Sequence, residues 1–205
     1  MILTGPAIIA AMHDGQVVIE PPPTHVGPNS VDLTLGETLV VYHDGLCKLG
    51  TYDSQHRNLS SDQLDLATVF FYDNPPDELD SHKANSTHEL RISKTGIVLV
   101  PGVLYLGHTV ESTYTPVHVP QVGGRSSIGR LGIHVHVTAG FGDVGFAGQW
   151  TLEIHVIHTV RVYAGMRIAQ LWLSVPYGDI VEYAGRYQHS KGVIASRMHE
   201  GEDEK

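Results

Sequence analysis

The length, composition and charge of the chain exclude several classes of protein. Its 205 residues, 41% of them hydrophobic, suit one compact domain with a buried core. The 22 glycines and 11 prolines separate short apolar runs, which is typical of a turn-rich β protein and excludes a long helical bundle. A net charge of -9 repels polyanions, so the sequence predicts no nucleic-acid partner, although a few clustered arginines can still bind a small phosphorylated ligand.

Cysteine content and apolar runs bear on metal binding and on the compartment. Cys47 is the only cysteine, so the chain can form neither an internal disulfide nor a zinc site made of several cysteines. Residues 1–9 lack the basic start of a secretory signal, and no apolar run reaches the ~18–20 residues that a membrane span requires. We therefore expect a cytoplasmic protein without a membrane partner.

The first predicted element is a short helix near the N-terminus. Thr4 is a favourable N-cap residue, Pro6 suits the first helical turn, and residues 7–12 are almost all apolar. Asp14 and Gly15 then end the run. This pattern predicts a helix of two to three turns.

Most of the remaining chain predicts β structure. Short apolar or alternating runs, bounded by glycine or proline turns, are typical of strands. Such runs occupy residues 30–36, 38–42, 97–100, 103–106, 133–137, 150–157, 160–163 and 168–175. Residues 52–91 are polar and irregular apart from an apolar patch at 69–72, so we expect a surface loop there. The spacing of the strands predicts an all-β barrel or sandwich in one domain spanning residues 1–205.

Two of the predicted strands carry side chains that could perform chemistry. Alternation over residues 150–156 puts Thr151, Glu153 and His155 on one face of a strand. Glu153 is either an ordinary solvated carboxylate, which the pattern alone favours, or a partly desolvated group suited to general acid–base catalysis. His134 and His136 also share a face, but no further ligand follows at metal-binding spacing, and surface or interface histidines explain them more simply.

Two glycine-rich segments are candidates for ligand binding. Residues 123–132 combine two arginines, two serines and four glycines, so they form either an anion site of peptide N–H groups and guanidinium groups or an ordinary turn. Residues 139–148 contain one carboxylate and two aromatic rings. There, Asp143 either caps a turn or accepts a hydrogen bond from a sugar hydroxyl.

These motifs also match a known family as a set. They are GRSSIGRLG at residues 124–132, HVTAGF at 136–141, Asp143, and TLE at 151–153. Together they resemble the dCTP deaminase family of the trimeric dUTPase superfamily. The similarity extends to residues 28–36, 101–102, 164–171, 185–192 and 196–197, and it is weakest over residues 52–91.

The resemblance implies a fold, an assembly and a reaction. The fold would be a mainly all-β, distorted barrel or jelly-roll of the dUTPase-like type with a short N-terminal helix, and residues 185–205 would form a mobile tail. The assembly would be a homotrimer with active sites shared between subunits. The reaction would be hydrolytic deamination of dCTP to dUTP and ammonia, with Mg2+ carried on the nucleotide phosphates, no zinc, and dTTP as a candidate feedback ligand.

The resemblance also implies roles for individual residues. Glu153 would be the general base that activates water, Asp143 would contact the deoxyribose, and backbone at Val137 and Ala139 would read the base. The residues that would hold the triphosphate and order the water are Arg125, Ser126, Ser127 and Arg130. The implied substrate-binding residues are Arg125, Ser126, Ser127, Ile128, Gly129, Arg130, Val137, Ala139, Asp143, Thr151, Leu152, Tyr183, Arg186 and Ser190. A zinc deaminase would instead need an H-x-E…P-C-x-x-C signature, which a chain with one cysteine cannot supply.

Three positions depart from the family pattern and leave alternatives open. Arg186 and Ser190 stand where Lys and Gln are usual, and Gly142 replaces the usual Ile, which predicts a looser turn before the sugar-binding carboxylate. One alternative is a bifunctional enzyme that yields dUMP and pyrophosphate, which Gly129 and the AGF sequence at 139–141 favour. The other is a nucleotide-sensing protein without turnover. Deamination alone is our first interpretation, ahead of a pure dUTPase, which does not need Glu153.

Overall fold

The computed structural model describes residues 1–42, 78–136 and 138–201, together with two short strands at 49–50 and 68–70. The helices are α1 (Gly5–His13), α2 (Ser126–Gly129) and a 3-10 turn (Met198–Glu200). The strands are β1 (Val18–Glu20), β2 (Val31–Thr34), β3 (Thr38–Tyr42), β4 (Leu49–Gly50), β5 (Thr68–Phe70), β6 (Thr87–Arg91), β7 (Ile97–Leu99), β8 (Tyr105–Tyr114), β9 (Val119–Gly124), β10 (Ile133–Val135), β11 (Ala147–Val156), β12 (Val160–Val162) and β13 (Arg167–Ser174).

The described strands form three sheets. The largest has the order β10-β11-β8-β3-β6, with β1 also paired to β8. The second has the order β12-β7-β5-β4, and the third the order β2-β13-β9. The neighbouring strands pair antiparallel except for β5 and β7. The predicted all-β class is therefore confirmed, and so is the short N-terminal helix, whose Ile8 and Ala11 pack into the core.

Strand β11 shows how the alternating sequence positions the site. Its buried and half-exposed residues alternate along all ten positions. Leu152 and Ile154 are fully buried in the core, so Thr151 and Glu153 face the other side of the sheet. This confirms the predicted facing of the strand and places the candidate base on its outer side.

Strand β8 is longer than the sequence predicted. The expected strand 103–106 begins at Tyr105 and continues to Tyr114. The extension was missed because three of its inward positions are polar: Thr109, Glu111 and Thr113 are all buried. Each has a hydrogen-bond partner in the core. Thr34 donates to Glu111 from both its backbone nitrogen and its hydroxyl at 2.8 Å, and Trp150 donates from its backbone nitrogen to Thr109 and from its indole to Thr113.

Other expectations also differ from the structure. The predicted loop 52–91 ends in a strand, β6, whose polar outer residues hid its pairing with β3. Most of the rest of that loop lies outside the described residues, although β5 overlaps its apolar patch. The sequence also missed β1 and β9.

In the described part of the chain, no helix is long and apolar enough to cross a membrane.

Candidate active site

A cavity of about 500 Å³ opens on the outer side of β11. Its wall is formed mainly by β11, by the loop between β10 and β11, and by the C-terminal segment that follows β13. Of the predicted site residues, it contains Ala139, Asp143, Thr151, Glu153, Tyr183 and Ser190. A cavity of this size, with two carboxylates and several aromatic rings, suits a nucleotide-sized ligand.

Glu153 presents a half-buried carboxylate to this cavity. The hydroxyl of Thr138 lies 3.4 Å from one of its oxygens and can donate to it. The backbone nitrogen of His136 donates to the carbonyl oxygen of Glu153 at 3.2 Å, which extends the pairing of β10 and β11 by one residue. Among the described residues, the carboxylate therefore has one hydroxyl donor, and its other acceptor positions can serve a ligand in the cavity.

His136 lies beside Glu153 with an unusual backbone. Its φ is +51°, and the regular strand ends at Val135, two residues before the end of the strand predicted over 133–137. Both ring nitrogens are buried and have no hydrogen-bond partner among the described residues. Burial lowers the pKa of this imidazole, and the nearby charge of Glu153 opposes that shift. A neutral imidazole therefore borders the cavity.

The two histidines predicted to share a face have different neighbours. His134 packs against His155, with ring centroids 4.6 Å apart, whereas His136 lies next to Glu153. Since His155 and Glu153 share a face of β11, the two histidines do lie on the same side of the sheet. Within the described residues, no three or more histidine, cysteine or acidic side chains are grouped closely enough to hold a metal ion.

The turn before Asp143 is tightly packed, which corrects the expectation that Gly142 loosens it. A methyl group at position 142 would lie 2.3 Å from the indole ring of Trp150 and 3.1 Å from Pro120. The backbone nitrogen of Gly142 also donates to the carbonyl oxygen of Pro120 at 2.9 Å. Trp150 thus occupies the space that a larger side chain would need, and Asp143 is held at the cavity by backbone contacts.

Aromatic rings line the cavity next to this turn. Phe146 packs between Trp150 and Tyr183, with centroid distances of 4.9 and 5.9 Å. The tyrosine hydroxyl accepts a hydrogen bond from the backbone nitrogen of Tyr187 at 3.1 Å. Tyr183 therefore links the C-terminal segment to the wall of the cavity.

The C-terminal segment runs alongside β11 and covers part of the cavity. The side chain of Gln188 accepts a hydrogen bond from the backbone nitrogen of Ala147 at 2.8 Å. Further along, Gly192 donates to the side chain of Gln149 at 2.6 Å, and Ile194 donates to the hydroxyl of Thr151 at 3.0 Å. The predicted ligand contact Thr151 is thus a partner of this segment in the structure.

Close approach at Gly148 makes this docking possible. A methyl group there would lie 2.8 Å from the backbone nitrogen of Ser190. The hydroxyl of Ser190 donates to the carbonyl oxygen of Tyr187 at 2.5 Å, so it is used within its own turn. Arg186, expected to meet phosphate, donates to the carbonyl oxygens of Arg197 and Gly201. Both side chains therefore bond within the C-terminal segment.

The predicted phosphate-binding segment lies elsewhere on the molecule. It forms the one-turn helix α2 rather than an irregular loop. Ser126, Ser127, Gly129 and Arg130 are exposed, and Ile128 is buried in the core. None of the residues from Arg125 to Arg130 is among the described residues that line the cavity.

Comparison with known proteins identifies the family. A model of the dCTP deaminase-like family matches residues 2–174. The chain belongs to this family. It is 40% identical over 207 residues to a Leptospira biflexa protein named "dCTP deaminase, dUMP-forming", covering 100% of both chains. Proteins of the same name from Cytophaga hutchinsonii and Clostridium acetobutylicum are 47% identical over 150 residues (72% of this chain, 86% of the relative) and 39% identical over 201 residues (97% of each).

A solved structure of a family member supports the fold. The 2'-deoxycytidine 5'-triphosphate deaminase from Agrobacterium tumefaciens matches with a TM-score of 0.57 and 22% identity. The match covers 85% of this chain and 48% of that protein, so the chain spans about half the length of this structural relative. The family model and the relatives confirm the predicted family, and this structural match confirms the predicted type of fold.

Sequence reasoning placed only part of this dCTP deaminase-like site. The side chain of Leu152 lies in the core, so it can support the site but cannot face a ligand. Val137 lies outside the described residues. His136, Phe146 and Gln149 line the cavity but were not predicted as site residues. The alternation that identified Glu153 extends to Gln149, whereas the sequence carries no signal for the backbone at His136.

Proposed function

We propose that this chain is a dCTP deaminase that carries its product through to dUMP and pyrophosphate. The observation that carries the proposal is the half-buried carboxylate of Glu153 in a nucleotide-sized cavity, with Asp143 at the same cavity. The names of the relatives, which are 39–47% identical, favour dUMP rather than dUTP as the final product. This makes the bifunctional alternative the better of the two interpretations.

The first reaction exchanges the amino group at C4 of cytosine for oxygen. Glu153 takes a proton from water while the water oxygen adds to C4. The bond from C4 to the amino nitrogen then breaks. Of the two water protons, one ends on ring nitrogen N3 and the other leaves on the departing ammonia, so the products are dUTP and ammonia. The Thr138 hydroxyl holds one carboxylate oxygen of Glu153, which orients the base toward the cavity.

The second reaction cleaves the triphosphate. A second water adds its oxygen to the α-phosphorus, and the bond from that phosphorus to the oxygen bridging it to the β-phosphorus breaks. The products are dUMP and pyrophosphate. Magnesium enters with the triphosphate as part of the substrate, where it reduces the negative charge that the arginines of the site must balance.

The complete site is assembled from neighbouring subunits. In one chain, the cavity contains the predicted base and the predicted sugar ligand, whereas helix α2 with the predicted phosphate ligands lies outside it. A second copy can bring its α2 to the cavity of the first. Closed symmetric assemblies provide such repeated contacts, and we propose the homotrimer that the family resemblance implies.

A nucleotide sensor without turnover is a weaker alternative. Its sequence signature is the departures at Gly142 and Ser190, of which Gly142 was expected to loosen the turn carrying Asp143. The indole of Trp150 fills that space, and the backbone of Gly142 is hydrogen bonded to Pro120, so the turn has a defined structure. The cavity also retains a candidate general base, which binding alone does not need.

Product analysis tests the proposed function. The purified protein is incubated with dCTP and Mg2+, and ammonia, dUTP, dUMP and pyrophosphate are measured over time. We expect ammonia, dUMP and pyrophosphate in equal amounts with little free dUTP. Accumulation of dUTP without pyrophosphate would establish deamination alone. Tight binding of dCTP without ammonia release would overturn the enzymatic proposal in favour of a sensor.

A further inference from the structure

A buried carboxylate lies next to the predicted phosphate-binding helix. Asp32 is in β2, and its side chain is only 7% exposed. One oxygen accepts from Nε of Arg125 at 2.9 Å, and the other accepts from Nη1 of Arg167 at 3.0 Å. Nε2 of His25 lies 4.0 Å from the second oxygen. The two oxygens of one carboxylate thus hold two guanidinium groups.

The three-stranded sheet explains this arrangement. Strand β13 lies between β2 and β9, and Asp32 pairs in register with Gln170 of β13. Arg125 directly follows β9, and Arg167 is the first residue of β13. Nη1 of Arg125 also donates to the carbonyl oxygen of Arg167 at 3.3 Å. Both arginines are therefore held in place at one end of the same sheet.

The positive charge of this cluster lies on its solvent-exposed side. The carboxylate is buried, whereas the side chains of Arg125 and Arg167 are 22% and 45% exposed. Two guanidinium groups against one carboxylate leave an excess positive charge on the exposed side. With Arg125 alone, Asp32 would neutralise the guanidinium. Arg167 supplies the additional charge that lets the pair still attract an anion.

We propose that Asp32 is a positioning residue for triphosphate binding, which it serves by holding Arg125 beside Arg167. This inference rests on the proposed function, in which Arg125 contacts the triphosphate. Asp32 does not touch the substrate. It fixes the direction of the guanidinium group, so less side-chain freedom is lost when the anion binds. Removing the carboxylate charge should therefore weaken phosphate binding and leave the deamination step itself nearly unchanged.

The test compares Asp32→Asn with Asp32→Glu and with a matched control. We expect Asp32→Asn to raise the KM for dCTP about tenfold, with a much smaller change in kcat, and Asp32→Glu to restore part of the loss. The control is Glu111→Gln. Glu111 is also a buried carboxylate that holds β2, through Thr34, but it contacts no arginine in the described structure. It should lower stability without raising KM.

A double-mutant cycle separates positioning from a general structural effect. If Asp32 acts through Arg125, then Asp32→Asn should change KM little in an Arg125→Gln background. Multiplicative effects of the two substitutions would overturn the inference, as would an unchanged KM in Asp32→Asn. If Asp32→Asn does not fold, Arg167→Gln replaces it. That variant should also weaken binding, and unchanged binding would refute the role of the arginine pair.

Inorganic tripolyphosphate distinguishes failure of this inference from failure of the proposed function. Its binding is measured by calorimetry, which requires no deamination. We expect the wild-type chain to bind it and Asp32→Asn to bind it about tenfold more weakly. Absence of ammonia release from dCTP would overturn the proposed function alone. Equal binding of tripolyphosphate by both proteins would overturn the role of Asp32 even in an active enzyme.

Discussion

The contact between Gly142 and Trp150 makes a sharp prediction about stability and substrate binding. In Gly142→Ala, the new methyl group would lie 2.3 Å from the indole ring, a distance that requires the ring or the turn to move. The ring cannot move freely. Trp150 is 7% exposed, and its indole nitrogen donates to Thr113 at 2.8 Å. The turn should move instead and displace Asp143.

The expected size follows from two opposing effects. Overpacking a well-packed site costs about 1–3 kcal/mol. Replacing glycine by alanine also restricts the unfolded chain, which stabilises the fold by about 0.4–1 kcal/mol. The difference leaves a net loss of about 0–2.6 kcal/mol. For a chain of this length, that corresponds to a decrease in Tm of up to roughly 10 °C.

A second glycine provides the control. At Gly27, a methyl group would make contacts of 3.5 Å or more, which is ordinary van der Waals distance. Gly27→Ala should therefore leave Tm unchanged or raise it, opposite in sign to Gly142→Ala. Thermal unfolding is measured at one protomer concentration, because the proposed assembly would make Tm depend on concentration.

A further variant identifies the cause. Trp150→Phe removes the part of the ring that the new methyl group meets, so Gly142→Ala should cost less stability in that background. We also expect Gly142→Ala to raise the KM for dCTP because Asp143 moves with the turn. An unchanged Tm together with an unchanged KM would refute the packing argument for Gly142.

Three other predictions concern the base, the assembly and pH. Glu153→Gln should slow ammonia release by ~10²–10⁴ while dCTP binding is retained, whereas near-normal release would remove this residue from the mechanism. Arg130→Ala and Glu153→Gln chains should each be inactive alone. If sites are shared, equal amounts of the two, unfolded together and reassembled, should recover activity at about a quarter of the sites, because a site then needs one chain of each kind. An active monomer would contradict this. Burial lowers the pKa values of His118 and His136 in the folded chain. The unfolded chain therefore binds more protons than the folded chain at mildly acidic pH, so the free energy of unfolding should fall as the pH decreases below about 6.5. Denaturant titrations from pH 8 to about pH 5 that show no such fall would contradict it.

Local sequence patterns predicted the elements in which the buried positions are apolar and the exposed positions are polar. Alternation identified β11 and the outward direction of Glu153, because every second residue from Trp150 to Val156 is an apolar core residue. Capping residues and an apolar run identified α1. The same reasoning failed at β8, where Thr109, Glu111 and Thr113 fill inward positions. Those residues are buried only because hydrogen-bond partners from distant parts of the chain meet them, and no local pattern carries that information.

The site was predicted incompletely for a related reason. The glycine-rich motif at 123–132 identified an arginine-bearing segment, but not Asp32, which is 93 residues away from Arg125 in the chain. Strand pairing through β13 brings them together. Likewise, Gly142 seemed to loosen its turn because the sequence does not show that Trp150, eight positions later, fills the space beside it.

The order of residues along the outer face of β11 connects closure of the cavity with presentation of the base. Residues 147, 149 and 151 each hydrogen bond to the C-terminal segment, through partners about 41 to 43 positions further along the chain. Glu153 is the next residue on that face, and its carboxylate lines the cavity. Because both roles belong to one strand, the segment bonds to residues 147, 149 and 151 of the cavity wall and leaves the carboxylate of Glu153 unoccupied by these bonds. The segment can therefore exclude water from bound nucleotide while Glu153 remains available to the reacting water.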